Sequence, residues 1–218
     1  MYLPSQVHIV VCLSLPRRRA VDMATLYAPA PGIFMMTDST QLVFDRISYD
    51  RFLTDLETVA GKIEADQWRP DFIVGIGRGG LVPGAFLSHR TGIPLLSVDH
   101  SSKVYGFADE LLLKLAASSI AGQRFLFIDD INDSGGTIKY LRETVLSNGA
   151  VPGSVRFAVL INNISSQATV EYWSRSIDRS VDKEWFVFPW ESVAPAQTLS
   201  QEAFEVPDRL GLSAGAIE

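Results

Sequence analysis

Apolar positions fall into two alternating rhythms along the middle of the chain. Phe52, Leu56, Val59, Ala60 and Ile63 recur at helical spacing behind Ser48, a suitable N-cap, and predict an amphipathic helix over 48–66. The short run Phe72–Ile76 ends in glycines and reads as a buried strand. The pattern then predicts a helix over 81–90, a strand over 95–98, a polar loop over about 99–110 and a strand over 125–129. Ile138, Leu141 and Val145 give a helix that stops near Asn148 and Gly149, and 155–161 is a further strand. Strands alternating with helices imply an α/β fold: a mainly parallel sheet covered on both faces, with ligands at the carboxyl ends of its strands.

The ends of the chain do not share this order. Residues 1–43, with Pro4, Pro16, Pro29 and Pro31 and no sustained periodicity, read as an irregular arm or as a start placed too early. The apolar stretch 7–15 precedes its arginines instead of following them, the reverse of a secretory signal, and is far shorter than the roughly 20 residues of a membrane span. Residues 192–218 mix Ala, Ser, Pro and acids and are expected to form a surface tail. At 218 residues and 47% apolar composition, the remainder can bury one ordinary core.

Charge and cysteine content narrow the chemistry. A net charge of −6, with no basic run beyond 17–19, gives no footprint for a nucleic acid. The single cysteine, Cys12, can make neither an internal disulfide nor a thiolate cage, which suits a reducing, cytoplasmic setting. His89 and His100 have no partners at metal-ligating spacing and are expected at the surface.

The densest chemistry lies in RFLFIDDINDSGGTIKYL. A strand delivers Asp129 and Asp130, and residues 133–136 then turn the chain into a helix near Thr137. Gly135 and Gly136 let the backbone bend and approach a ligand, so that consecutive N–H groups and a helix N-terminus can face one anion. Ser134 and Thr137 add hydroxyl donors. Three carboxylates beside a phosphate are repulsive unless they face hydroxyl groups, a metal ion or a proton to be removed, and a ribose phosphate with a bound metal offers all three. The bland alternative, an acidic turn capping a helix, leaves the two extra acids at the strand end, the double glycine and the threonine without a purpose.

This segment resembles the signature of the type I phosphoribosyltransferases for 5-phosphoribosyl-1-pyrophosphate (PRPP). GRGGLVPGAFLSHRTGIPL is similar to the pyrophosphate loop and following helix of the bacterial xanthine-guanine enzymes of that family, and EWFVFPWE to the end of their base-binding hood. The resemblance implies the phosphoribosyltransferase fold, with its domain over 44–191, and transfer of ribose 5-phosphate from PRPP to a nucleobase, expected to be a 6-oxopurine. By it, the backbone at Arg78 and Gly79 would hold pyrophosphate, with a cis peptide at 77–78. Asp129 and Asp130 would meet the ribose hydroxyls and a magnesium ion (Mg2+), and Ser134, Gly135, Gly136 and Thr137 the 5′-phosphate. Asp133 would face the base as proton acceptor, and Trp185 would stack on the base beside the Phe186 carbonyl. The loop around Ser101, Ser102, Lys103 and Tyr105 would close over PRPP, with Lys103 contributing to catalysis. A homo-oligomer, dimer or tetramer, comes with the same resemblance.

Two features argue against a simple transfer. Gly75, Gly77 and Gly80 also spell G-x-G-x-x-G, with Asp99 about twenty residues on, as in dinucleotide-binding folds. That reading leaves the turn at 133–137 unused, whereas PRPP has two phosphate ends and employs both loops. Purine-specific relatives also carry a lysine after the fourth strand that meets the exocyclic oxygen of the base. Here the strand runs into Asn162 and Asn163, and the Asn163 amide would donate to that oxygen without charge. A PRPP-binding regulatory protein without turnover is the alternative this departure motivates.

Overall fold

Ser48 caps the first helix by accepting a hydrogen bond from the Arg51 N–H at 3.2 Å, and the apolar stripe predicted from the sequence is the face that is buried. The computed structural model describes residues 42–99 and 109–204. In chain order the elements are β1 (Phe44–Arg46), α1 (Tyr49–Ala65), β2 (Phe72–Ile76), α2 (Gly77–Thr91), β3 (Leu95–Val98), α3 (Asp109–Ile120), β4 (Phe125–Asn132), α4 (Gly136–Ser147), β5 (Val155–Asn163), β6 (Tyr172–Ile177), β7 (Trp185–Val187), a 3-10 turn (Pro189–Glu191) and α5 (Ala196–Phe204).

Five strands form one parallel sheet in the order β3-β2-β4-β5-β6, and β1 pairs with β7 in a separate parallel ribbon, Phe44 opposite Trp185. Alternate residues of the central strands serve two cores. Leu126, Ile128, Ala158 and Leu160 face α1 and α2, together with Phe52, Val59 and Leu87. Phe125, Phe127, Phe157 and Val159 face α3 and α4, with Leu112, Leu115, Leu141 and Val145. The sheet is thus covered on both faces, and among the described residues no helix is long and apolar enough to cross a membrane.

Several elements differ from the sequence reading, each for a physical reason. Helix α2 starts at Gly77 instead of near Leu81, because three glycines allow its first turn to lie directly against β4: a Cβ on Gly80 would come within 2.0 Å of the Ile128 carbonyl oxygen. Every described peptide bond is trans, so the expected cis bond at 77–78 is corrected; Gly77 makes the turn with a φ of 51°. Strands β4 and β5 run on to Asn132 and Asn163. Helix α3 was hidden by its leucine run, although Leu112, Leu115, Ala116 and Ser119 are buried at helical spacing. The expected surface tail contains α5, where Leu199 and Ala203 are buried.

The close approach at Gly80 should dominate stability at this end of the sheet. Gly80→Ala is expected to cost about 3 kcal/mol or more, the upper range for overpacking, since the obstacle is backbone. Gly61→Ala, in exposed helical surface with nothing within 4 Å of the new Cβ, should stabilise by about 0.4–1 kcal/mol. Urea unfolding of both variants checks the pair.

Candidate active site

Parallel strands bring all their carboxyl ends to one edge, and the order of this sheet reverses between β2 and β4. Chain direction moves from β2 outward to β3, returns across β2 to β4, then continues to β5 and β6. The exits of β2 and β4 lie at this switch point, where such sheets generally bind ligands in a crevice. The first turn of α2 and the segment 129–136 line it.

The two sides are very close. A Cβ on Gly79 would lie 2.5 Å from Asp130 Oδ2 and 3.0 Å from Asp129 Oδ1, so a side chain here would displace the two carboxylates. Asp129 Oδ1 accepts the Asp130 N–H at 3.0 Å. Burial pushes the Asp129 carboxyl well above the usual range, and neighbouring Asp130 adds to it. Burial, and then the charge of Glu191, push Asp130 up to about 7. Glu191, which accepts the Phe188 N–H at 2.8 Å, is itself raised by burial. Arg78 projects its almost fully exposed side chain outward, reaching Glu202 on α5 at 3.3 Å.

Past the acid pair, Asn132 braces the turn from beneath: its amide donates to Asn162 Oδ1 and the Ala168 carbonyl, both at 2.8 Å, and its Oδ1 accepts from Ser166 Oγ at 2.8 Å. Gly135 has φ 87° and caps α4, and Ser134 Oγ accepts the Gly136 N–H at 3.4 Å. A Cβ on Gly135 would strike the Ala168 nitrogen at 2.5 Å, so this glycine is needed against the loop behind the turn. Gly136 is open, with only Ser134 Oγ at 3.6 Å, and Thr137 is half-buried in the first turn of α4.

Asp133 is buried and forms a two-pronged ion pair with Arg179, Nε to Oδ1 at 3.1 Å and Nη2 to Oδ2 at 3.0 Å. Sequence reasoning missed Arg179, which sits in no motif and meets Asp133 only through the fold. Asn163 does reach the cradle, but its amide donates to the Asp133 carbonyl at 3.0 Å, and its Oδ1 accepts from Ser165 and Arg179. Trp185 is half-buried on β7, and its Nε1–H has no partner among the described residues. Phe186 is buried under the Arg179 guanidinium, 5.1 Å from its ring centroid. Trp190 is half-buried and packs against the core, stacked on Phe188 at 4.9 Å and edge-on to Phe52 at 5.3 Å. Lys103, with the loop expected to close over the site, lies outside the described residues, as do His100 and Cys12.

The strained acid pair makes a pH prediction. Asp130 holds a proton in the folded chain up to about pH 7, whereas an unfolded aspartate releases it near pH 4. Its contribution to stability is therefore full below about pH 4 and lost as pH rises through about 7. With divalent cations removed, Asp130→Asn should raise the melting temperature by roughly 3 °C or more at pH 8 and little below pH 4. Thermal unfolding at the two pH values checks this.

Comparison with known proteins agrees with the geometry. A family model described as phosphoribosyl transferase domain matches residues 48–194. The chain is 27% identical over 142 residues to the xanthine-guanine phosphoribosyltransferase of Idiomarina loihiensis, covering 62% of this chain and 78% of that protein. Two solved structures share its fold. The purine phosphoribosyltransferase of Pyrococcus horikoshii superposes with a TM-score of 0.51 at 23% identity, over 70% of this chain and 97% of that one. The Helicobacter pylori xanthine-guanine-hypoxanthine phosphoribosyltransferase does so with 0.52 at 18% identity, over 72% and 99%. With its two glycine turns flanking an acid pair at the switch of a five-stranded parallel sheet, and a family match running from α1 to the 3-10 turn, this chain belongs to the phosphoribosyl transferase domain family.

Proposed function

We propose that this protein transfers ribose 5-phosphate from PRPP to a nucleobase, a 6-oxopurine in the first instance, and releases pyrophosphate. The observation that carries the proposal is the first turn of α2 packed against Asp129 and Asp130, with the turn into α4 just beyond them; we read both turns as anion-binding backbones. A substrate with phosphate at both ends of a sugar matches that spacing of functions. In this reading the turn 133–137, with the Ser134 and Thr137 hydroxyls, takes the 5′-phosphate, and the backbone at Arg78 and Gly79 takes pyrophosphate. The acid pair takes the ribose hydroxyls, and Lys103 contributes to catalysis.

Magnesium fits the donor set. Asp129 and Asp130 are hard oxygen ligands whose raised carboxyls favour a neutralising cation, and among the described residues no third His, Cys, Asp or Glu completes a protein-only site. Magnesium bound by two carboxylates and completed by substrate oxygens is the usual economy for phosphate chemistry, where it screens the leaving group. The protein is read as cytoplasmic and as a homo-oligomer, dimer or tetramer.

In the transfer, the bond from the sugar's anomeric carbon to pyrophosphate breaks, the bond to a base nitrogen forms, and that nitrogen loses a proton. Positive charge builds on the sugar, beside Asp129 and Asp130. Trp185 offers the base a stacking surface next to the Phe186 carbonyl. Asp133 receives the proton from the base. Asn163 serves the base pocket from beneath, by fixing the Asp133 backbone through its amide.

A spectrophotometric panel of purine and pyrimidine bases with PRPP, run with magnesium and with excess chelator, tests the proposal. Nucleotide formation that stops reversibly in chelator is expected; PRPP binding without turnover of any base points to a regulator instead. Trp185→Ala should raise the KM for the base much more than that for PRPP, since a lost stacking partner is worth about 1–3 kcal/mol per base. Asp133→Asn should slow turnover roughly a hundredfold or more, the scale of a lost acid or base. It should also strand Arg179 and lower stability by about 3–5 kcal/mol, so kinetics and unfolding are measured on the same preparation.

A further inference from the structure

We infer that Arg179 is the positioning residue that fastens the base platform to the phosphate cradle, holding Asp133 and the entry to β7 as one unit. The inference rests on the reading of Asp133 and Trp185 as base-pocket residues, and deepens it.

Three residues from three places in the chain form a closed circuit through their side chains and backbone. The Arg179 backbone N–H donates to Asn163 Oδ1 at 3.3 Å, Asn163 Nδ2 donates to the Asp133 carbonyl at 3.0 Å, and the Asp133 carboxylate accepts the Arg179 guanidinium. Asp133 opens the turn after β4, Asn163 ends β5, and Arg179 follows β6. Both members of the ion pair are buried, at 8% exposure each. An ion pair removed from water holds only with good geometry and with its remaining donors satisfied.

Those remaining donors point to the role. Arg179 Nη1 donates to the Asp182 carbonyl at 3.0 Å and to the Glu184 carbonyl at 2.8 Å. Glu184 is the residue before Trp185, so the same guanidinium that grips the cradle acid also fixes the backbone entering the proposed stacking platform. The turn is tightened by the Asp182 N–H on the Asp178 carbonyl at 2.7 Å, by the Asp178 N–H on Asp182 Oδ2 at 2.8 Å, and by Lys183 Nζ on the Arg179 carbonyl. The guanidinium face covers the Phe186 ring. The planar fork matches a carboxylate with one edge and two carbonyls with another, which the point charge of a lysine does not reproduce.

The arrangement also relocates charge. The residue that ends β5, Asn163, is neutral and turned inward, while the cation beside Asp133 arrives sixteen residues later, from the end of the next strand. Since Nε and Nη2 face Asp133 and Nη1 is filled by carbonyls, Arg179 acts through Asp133 and the β7 backbone and does not itself contact the base.

The test uses Arg179→Lys, Arg179→Gln and the paired Asp133→Asn/Arg179→Gln, which replaces the ion pair with two amides and avoids stranding a buried charge. Hydrogen exchange of the full-length protein is the first readout. Amides of 182–188 should exchange at least tenfold faster in each folded variant, with those of 155–161 unchanged. In Arg179→Lys the KM for the base should rise at least tenfold, while PRPP affinity by calorimetry stays within threefold. Unchanged exchange over 182–188 in a folded variant, or equal weakening of base and PRPP, would overturn the assignment. If wild-type protein turns over no base, the proposed activity fails, yet the exchange measurement still decides whether the clamp exists.

Discussion

The approach of the first turn of α2 to the end of β4 governs the architecture of the crevice. At Gly80 backbone meets backbone, since any side chain there would enter the Ile128 carbonyl, while at Gly79 a side chain would push on the Asp130 carboxylate. This contact brings the exit of β2 against the exit of β4, although the chain visits β3 and α3 between them. The Leu87 and Ile128 side chains bury the same junction from the core side. Two anion-friendly turns face one another only because no side chain intervenes.

Electrostatics follows from that closeness. Two adjacent aspartates, partly removed from water and overlooked by Glu191, would be an unfavourable grouping in a purely structural role. Natural sequences retain such local conflict where a ligand relieves it. The opposite half of the crevice is settled differently: Asp133 has its counter-charge built in, through Arg179. One acid cluster thus has its charge unrelieved by a paired cation side chain among the described residues, and the neighbouring acid carries its counter-charge from the protein.

How much of this was legible beforehand depended on whether a feature was local. The strand, acid pair and turn of 125–137 were readable because β propensity, glycine placement and hydroxyl donors lie side by side in sequence. The parallel sheet followed from alternating rhythms, and α1 from its apolar stripe. Arg179 was invisible because its meaning depends on the register of β5 and β6, which brings position 179 against position 163. The packing demand on Gly135 was illegible for a related reason, since the atoms that require a glycine belong to residues 166–168, more than thirty positions away. Helix α5 was missed because its alanines, serines and glutamines resemble linker composition, and only Leu199 and Ala203 are committed to the interior.

The loop after β5 illustrates what such long-range support entails. Surface connections ordinarily accept insertions and deletions at small cost. Residues 166–168 do not have that freedom: Ser166 holds Asn132, the Ala168 carbonyl holds the same side chain, the Gln167 N–H holds the Ser134 carbonyl, and the segment fills the volume beneath Gly135. A stretch that looks like a spacer is therefore the floor of the turn at 133–136, and a change in its length would reshape that turn without altering any of its own residues.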